Sequence, residues 1–444
     1  MTNTEQWLKQ HNIQAIECIF PDMTGIARGK LVPVHQYLNE TIRIAEGNLL
    51  ATVNGDYTEE VSLLVHPNDK DMLLRPDDSS LRLSPWANKP TAQIINDCVS
   101  QNGELHWLSS RNVLRGVLAK LADKGLKPVI APEVEFYLTA ISDDPNIPIS
   151  AALGKSSSPA SVSQPLGIDA YYEFEAFYNR LHEYCDVQNL NVGVVSQEMG
   201  SGQVEINFHH GDAITMADQV FTLKRTIRHV AQQFGFHATF MAKPMAQQPG
   251  SSMHIHQSLI DIDSGENVFV NDDGRHSDLF LSYIAGLQKY TPKLLSFYAP
   301  NVNSYRRFAR YMSAPISMHW GIENRTIAFR VPDAERNATR VENRFAGMDC
   351  NPYLAIAASL ASGLAGINNR LTASEPYEGN CSDQAIDIER SLENALAELT
   401  DMDDFGELIH PDFINAYRLT KLSELDAYNS EVSAWERKYL KLMV

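Results

Sequence analysis

The sequence predicts an α+β protein of two domains, and three observations carry that expectation. Its 444 residues exceed what a single small core organises. Four short stretches put charged or polar groups on alternate residues: Glu133-Val134-Glu135, Glu205-Ile206-Asn207, His254-Ile255-His256 and Arg340-Val341-Glu342-Asn343-Arg344. That is the period of a strand, whose residues i, i+2 and i+4 share one face. Other segments carry apolar residues at helical spacing, as at Val113, Leu114, Val117, Leu118 and Leu121.

The first ~105 residues read as a small mixed unit. A short helix from Thr4 to Gln10 precedes the strand-like IQAIECIFPD and a turn at Thr24-Gly25. A loop with Asn54-Gly55-Asp56 follows, then SLLVHP and DMLLRPD, two apolar runs punctuated as strands. Ser109 or Ser110 can cap the next helix, and Gly125 ends it. KPVIAPEVEFYLT is a strand, and 142–164, rich in Pro and Ser, a surface loop. A helix near 170–186 precedes the strands VGVVSQE and VEINF, joined through 199–203. A helix over 216–234 leads to HATFMAKP and SSMHIHQSLI. Helices near 278–288 and 352–367 follow, with strands TIAFRVP and TRVENRF near the second. The last ~45 residues are helical, with Trp435, Tyr439 and Leu440 on one face. The domains so read are 1–105 and 106–444.

Composition excludes several classes. Apolar residues at 44% and charged residues at 21% suit a globular protein. A net charge of −18 disfavours nucleic acid, whose affinity rests on Lys and Arg meeting phosphate. Five scattered cysteines without a C-x-x-C predict reduced thiols in a cytoplasmic protein, not a disulfide framework or zinc knuckle. The opening MTNTEQWLKQHN lacks an apolar core, and no run of 18 apolar residues occurs. Neither a signal peptide nor a membrane span is expected.

A sheet face bearing Glu133, Glu135, Glu205 and Glu342 cannot stay ionised against itself without a cation. Hard divalent ions take several oxygen ligands, which such a face supplies. Alone, Glu133 and Glu135 could equally be solvated glutamates of an edge strand. Glu198 and Glu205 flank Gly200 and Gly202, whose freedom can fold the first towards the second; a hairpin with surface glutamates is the alternative. Gly250-Ser251-Ser252-Met253-His254-Ile255-His256 puts two imidazoles on one strand face, one suited to a metal and one to phosphate or nucleotide. Arg306, Arg307, Arg325, Arg330, Arg340 and Arg344 supply planar forks that match carboxylate and phosphate. An ion-pair network competes with that reading, yet leaves the two histidines and five glutamates unexplained.

Together these segments resemble the glutamine synthetase superfamily, in its order and at compatible spacings, from about Ile16 to Val444. The resemblance implies an N-terminal β-grasp-like domain and a glutamine-synthetase-type catalytic domain, a curved antiparallel sheet flanked by helices. It implies stacked-ring homo-oligomers, commonly dodecamers, with sites between subunits, and ATP, glutamate and an amine as substrates with two or more Mg²⁺ or Mn²⁺ per site. Glu135, Glu198 and Glu205 match ligands of one metal; Glu133, His254 and Glu342 match those of a second beside the ATP phosphates. His256 and Ser258 match nucleotide positions, Arg330 and Arg340 phosphate positions. Gly250, Arg307, Arg325 and Arg344 match positions around glutamate, and Asp56 matches an aspartate that enters a neighbour's site.

The departures narrow the reading. Glutamine synthetases carry a glutamate just before Ala-Pro in the flap, where this chain has Ser313 in Tyr311-Met312-Ser313-Ala314-Pro315. Serine has no charge with which to hold ammonium and is no general base near neutrality. Pro249 replaces an asparagine found in many members, and Tyr377 lies outside the context of the tyrosine that bacterial enzymes adenylylate. FPDMTGIARGK, PGSSMHIHQS, NSYRRFARYMSAP and SAWERKYL are similar to the γ-glutamylpolyamine synthetase branch, γ-glutamylputrescine enzymes included. That branch implies an ATP-dependent ligase joining glutamate to a primary amine such as putrescine or spermidine. Ordinary glutamine synthetase and a non-catalytic relative are the alternatives.

Overall fold

In the computed structural model, residues 3–57, 63–65, 68–156, 164–399, 405 and 407–443 are described. Period-2 patterning builds two sheets. The first comprises β1 (Ala15–Pro21), β2 (Ala27–Pro33), β3 (Arg43–Ala45), β4 (Asp71–Pro76), β5 (Arg82–Leu83) and β6 (Thr91–Val99). Its order is β2-β1-β6-β4-β3, with β5 paired to β6. Only β1 and β6 run parallel, and the helix α1 (Asn3–Gln10) precedes them.

The second sheet comprises β7 (Leu126–Thr139), β8 (Val192–Gln197), β9 (Gln203–Phe208), β10 (Gly211–Asp212), β11 (His237–Thr239), β12 (Ile255–Asp261), β13 (Trp320–Ile322), β14 (Phe329–Val331) and β15 (Val341–Asn343). The order is β13-β14-β15-β12-β7-β9-β8, with β10 and β11 also on β7. This curved sheet is antiparallel except between β13 and β14. Alternation on β7 does what its sequence requires: Val134, Phe136 and Leu138 are wholly buried, and Glu133 and Glu135 face the other way. Ile255 and Val341 are likewise wholly buried beside their polar neighbours.

Helices cover the apolar side. They include α2 (Ser110–Ala122), α3 (Ile168–Glu173), α4 (Glu175–Val187), α5 (Ala213–Gln233), α6 (Asp278–Tyr290), α7 (Pro352–Asn368) and α8 (Pro411–Ser430), while the short α9 (Ala434–Tyr439) has no buried residue. α7 is apolar all round and buried from Pro352 through Gly366, packed among α2, α5 and α6. Among the described residues no helix is long and apolar enough to cross a membrane. All five cysteines are buried and free.

Some local expectations fail. SLLVHP is no strand where it is described: Leu63–Val65 form a turn, and Ser62, His66 and Pro67 lie outside the described residues. The helix near 170–186 breaks at Phe174, whose ring packs edge-on against Phe236 at 5.4 Å between centroids. HATFMAKP gives only the three-residue β11, because the Met241 amide bonds the Thr239 hydroxyl at 3.2 Å and turns the chain. Ser109 holds the N-cap position of α2 without a side-chain cap bond.

A buried charge cluster ties the first sheet to the helices. Arg111, fully buried on α2, bonds Asp218 of α5 through Nε (2.9 Å) and Nη2 (2.7 Å), Asp77 at 2.7 Å, and Asp97 of β6. Arg115 closes the group on Asp97 at 2.9 Å and Asp77 at 2.8 Å.

Candidate active site

Strand register assembles the polar face. β7 and β9 pair antiparallel with Glu135 opposite Glu205 and Glu133 opposite Asn207. β12 meets β15 with His256 opposite Glu342, and β15 meets β14 with Glu342 opposite Arg330. Directly opposed residues lie within side-chain reach, so three ladders converge on one patch. His254 precedes β12 but stays on its line, because its carbonyl accepts the Glu133 amide at 2.9 Å. Gly202, at φ +72°, makes the turn that returns β8 to β9, and the Glu198 amide bonds the Gln203 carbonyl at 3.0 Å.

Glu133 sits at the centre. Its two oxygens meet His254 Nδ1 at 2.8 Å and His256 Nε2 at 3.0 Å. Ligand atoms of Glu133, Glu205 and His254 lie within 4.8 Å of one another, as do those of Glu133, His256 and Glu342. Arg340 donates from Nε to His256 Nδ1 at 3.3 Å, which leaves His256 Nε2 as the donor to Glu133. Glu342 is clamped by Arg330 Nη1 at 2.8 Å and by Arg344 Nη1. Arg330 also reaches Glu323 at 3.1 Å.

Charge divides the carboxylates into two sets. Burial raises the pKa of Glu342, yet Arg344 and the two histidines hold it at about 2. Glu133 is likewise held far below the usual range, against burial, by His254 and His256. The others have no comparable ion pair among the described residues, and what cations stand near Glu135 and Glu198 do not outweigh burial. Burial, then Glu133 and Glu198, pushes Glu205 up to about 8. Burial, then Glu205 and Glu198, lifts Glu135 well above the carboxylate range, and burial also lifts Glu198. The nearest basic nitrogen to Glu135 is His254 Nδ1, at 4.0 Å. His254 itself is buried, with Nε2 unpartnered among the described residues. Three repelling carboxylates and an orphaned imidazole nitrogen form a donor set that fits divalent cations.

The remaining candidates fall at different distances from this patch. Ser258 follows His256 on the same face of β12, and both line a cavity of 590 Å³ with Glu133 and Arg340. Gly250 has no room for a side chain: a Cβ would stand 2.6 Å from Arg307 Cγ and 2.8 Å from the Ala242 carbonyl oxygen. Arg307 is buried and committed, with Nη2 on Ser252 Oγ at 2.8 Å and Nη1 on the Phe345 carbonyl at 3.0 Å. The Ser252 amide in turn donates to Glu135 at 2.9 Å, so Arg307 braces the turn that presents Glu135. Arg325 is exposed and near enough to Glu198 to offset part of its burial. Ser313 is exposed on the turn after Tyr311, itself at φ +60°. Asp56 is exposed and closes a turn with Thr52, its amide donating to Thr52 Oγ1 at 3.1 Å.

Sequence reasoning missed three contributors. His209 and His210 line the same cavity just beyond β9, and the alternation that picked out Glu205 and Asn207 extends to His209. Gln203 Nε2 bridges Glu135 at 3.2 Å and the Gly250 carbonyl at 2.9 Å, a link between two segments that no spacing reveals.

Residues 108–440 match the family described as glutamine synthetase, catalytic domain. The chain is 33% identical to a glutamate–isopropylamine ligase of Pseudomonas sp, over 98% of this chain and 97% of that one. It is 32% identical to the γ-glutamylputrescine synthetase PuuA of Escherichia coli strain K12, covering 97% and 92%. A glutamine synthetase of Methanococcus voltae is also 32% identical, with both chains covered completely. Among solved structures, a GmaS/ADP complex superposes with a TM-score of 0.83 at 26% identity, covering 99% of each chain. This likeness along the whole chain, together with a carboxylate, imidazole and arginine patch on a curved antiparallel sheet, places the protein in the glutamine synthetase family.

Proposed function

We propose that this protein is an ATP-dependent ligase that joins the γ-carboxylate of glutamate to a primary amine, with a polyamine such as putrescine or spermidine as substrate. The observation that carries the reading is the trio Glu135, Glu198 and Glu205, each raised by burial and by neighbouring carboxylates, beside the cavity lined by Glu133, His256, Ser258 and Arg340. One wall calls for cations, and the adjoining one offers an imidazole, a hydroxyl and a guanidinium to a polyphosphate.

In this reading Glu135, Glu198 and Glu205 hold one metal, and Glu133, His254 and Glu342 a second. Bound Mg²⁺ or Mn²⁺ supplies charge neutralisation for the triphosphate. His256 and Ser258 receive the nucleotide. Arg325 and Arg344 hold the glutamate carboxylates near Gly250, whose lack of a side chain lets Arg307 and the Ala242 carbonyl pack against it. A γ-carboxylate oxygen attacks the terminal phosphorus, ADP leaves, and Arg330 and Arg340 take up the charge spreading over the transferred phosphoryl group. The amine nitrogen then attacks the acyl carbon of γ-glutamyl phosphate, phosphate departs, and the nitrogen gives up a proton. Arg307 acts through Ser252 and Glu135. A dodecamer with sites between neighbouring subunits, which would bring Asp56 to an adjacent site, belongs to the same proposal, as do a cytoplasmic location and the domain boundary near residue 105.

The choice of amine rests on Ser313, which lacks the charge that ammonium needs. The test is mass spectrometry of products from ATP, glutamate and Mg²⁺ with ammonium, putrescine, spermidine and isopropylamine competing in one pot. γ-Glutamyl polyamine is expected to dominate. Glutamine as the main product would instead favour the second reading, glutamine synthetase, which the full-length likeness to the Methanococcus voltae enzyme supports. No ADP release with any amine would remove both.

Ser313→Glu is expected to raise the ratio of kcat/KM for ammonium over putrescine about tenfold, the worth of one charge-assisted hydrogen bond. An unchanged ratio would separate Ser313 from amine choice.

A further inference from the structure

A second cluster of charge lies away from the carboxylate patch. Lys224 and Arg228 stand four residues apart on α5, so their side chains are neighbours on one helix face. Both lie over the Phe240 ring, Lys224 Nζ at 5.3 Å and Arg228 Cζ at 4.9 Å from its centroid. They line a cavity of 330 Å³ closed on the far side by the turn Thr24–Ala27. That volume is at the lower end of small-ligand sites.

The other two cations around this cavity are matched. Arg225 bonds Glu17 at 2.9 Å and Gln93 at 2.6 Å, and Lys421 bonds Glu424 at 2.7 Å. Asp349, a carboxylate in the cavity lining, accepts through Oδ2 from Asn301 at 2.8 Å and Ser304 at 2.6 Å, while its buried Oδ1 has no partner among the described residues and its charge favours the protonated form of Lys224. Arg228 has no carboxylate partner among the described residues. Lys224 donates to the Met348 carbonyl at 2.8 Å, a neutral acceptor. Burial, with Arg228 adding to it, lowers the Lys224 pKa to about 8, against a weaker opposing pull from Cys350 and Asp349. Like charges at this helical spacing repel, and the protein as a whole is strongly acidic, so general surface basicity does not account for the pair.

We propose that the cavity between the Thr24–Ala27 turn and α5 binds a small doubly charged oxyanion, held by Lys224 and Arg228 and separate from the phosphate-directed Arg330 and Arg340. A phosphate-type ion and a dicarboxylate share this chemistry, since each presents several acceptor oxygens to paired cations. The site has a route to the carboxylate face. Lys224 holds the Met348 carbonyl, the Met348 amide donates to the Ser251 carbonyl at 3.0 Å, and the next residue, Ser252, holds Glu135 at 2.9 Å.

The test is thermal unfolding of the full chain titrated with sodium sulfate or sodium malonate at constant ionic strength. A saturable rise in melting temperature is expected, with the tighter of the two anions assigning the tetrahedral or the dicarboxylate form. Arg228→Gln is expected to weaken the midpoint about tenfold, the worth of one charged hydrogen bond, with glutamate-dependent ADP release retained. Arg340→Gln is expected to leave the midpoint in place. A midpoint unmoved by Arg228→Gln, or moved only by Arg340→Gln, overturns the proposal. Should Arg228→Gln not fold, anomalous scattering from selenate in wild-type crystals decides. A peak between Lys224 and Arg228 supports the site, and peaks confined to Arg330 and Arg340 refute it.

Discussion

Glu135→Ala is expected to reduce glutamate-dependent ADP release by more than about 10²-fold. Losing a residue that merely orients a metal ligand costs 10–100-fold, so losing a ligand costs more. Glu135 is nine-tenths buried, directly opposite Glu205, and lifted well above the carboxylate range by burial and by the charges of Glu205 and Glu198, which outweigh Arg307 and the Ser252 amide. Its removal relieves repulsion in the metal-free protein while taking oxygens away from any bound cation. The two consequences run in opposite directions and can be measured apart. Without divalent ions the variant should melt at or above the wild-type temperature, since a repelling buried carboxylate is gone. With saturating Mn²⁺ the wild type should gain more in melting temperature than the variant. Near wild-type turnover, or an equal Mn²⁺ shift in both proteins, would exclude Glu135 as a ligand. Glu135→Gln keeps the volume and the acceptor for the Ser252 amide, so it controls for loss of that turn.

What the sequence made legible follows from backbone geometry. Alternation is a property of any strand, so Glu133 with Glu135 and His254 with His256 could be put on shared faces before any pairing was known. Partners across strands could not. Glu133 joining both histidines, and Glu342 lying between Arg330 and Arg344, depend on a register set by β14 and β15, each three residues long. Strands that short carry too few residues to announce a register. The break at Phe174 was invisible for a related reason: local spacing favoured one helix, and the distant Phe236 decided otherwise. The strand expected through Leu63–Val65 failed in the opposite direction, because an apolar run forms a strand only where a neighbour accepts its hydrogen bonds. His209 and Gln203 belong with this group, since a cavity wall and a bridging amide exist only after folding.

The Arg111 cluster illustrates the same limit and sets the largest expected effect on stability. Arg111→Ala should lower the free energy of urea unfolding by about 3–5 kcal/mol, the cost of leaving buried charges without their partner. The guanidinium touches Asp77, Asp97 and Asp218, which come from the first sheet and its flanking turn and from α5. Asp218 is buried, and Tyr353 donates to it at 2.6 Å, so its charge has no access to water once Arg111 is gone. Arg115 touches Asp77 and Asp97 as well, but its side chain is 30% exposed. Arg115→Ala should therefore cost about 1 kcal/mol or less. The pH dependence adds a check on cause. Burial raises the Asp77 pKa, and Arg111 with its neighbours outweighs that to hold it at about 2, below the ordinary 3.8. A depressed carboxylate contributes stability that is present above the unfolded value and lost as pH falls through the folded one. The difference between wild type and Arg111→Ala should accordingly be full at neutral pH and shrink from pH 4 towards pH 2. Equal costs for the two arginine variants, or a difference that does not change on acidification, would mean that Arg111 contributes packing rather than charge.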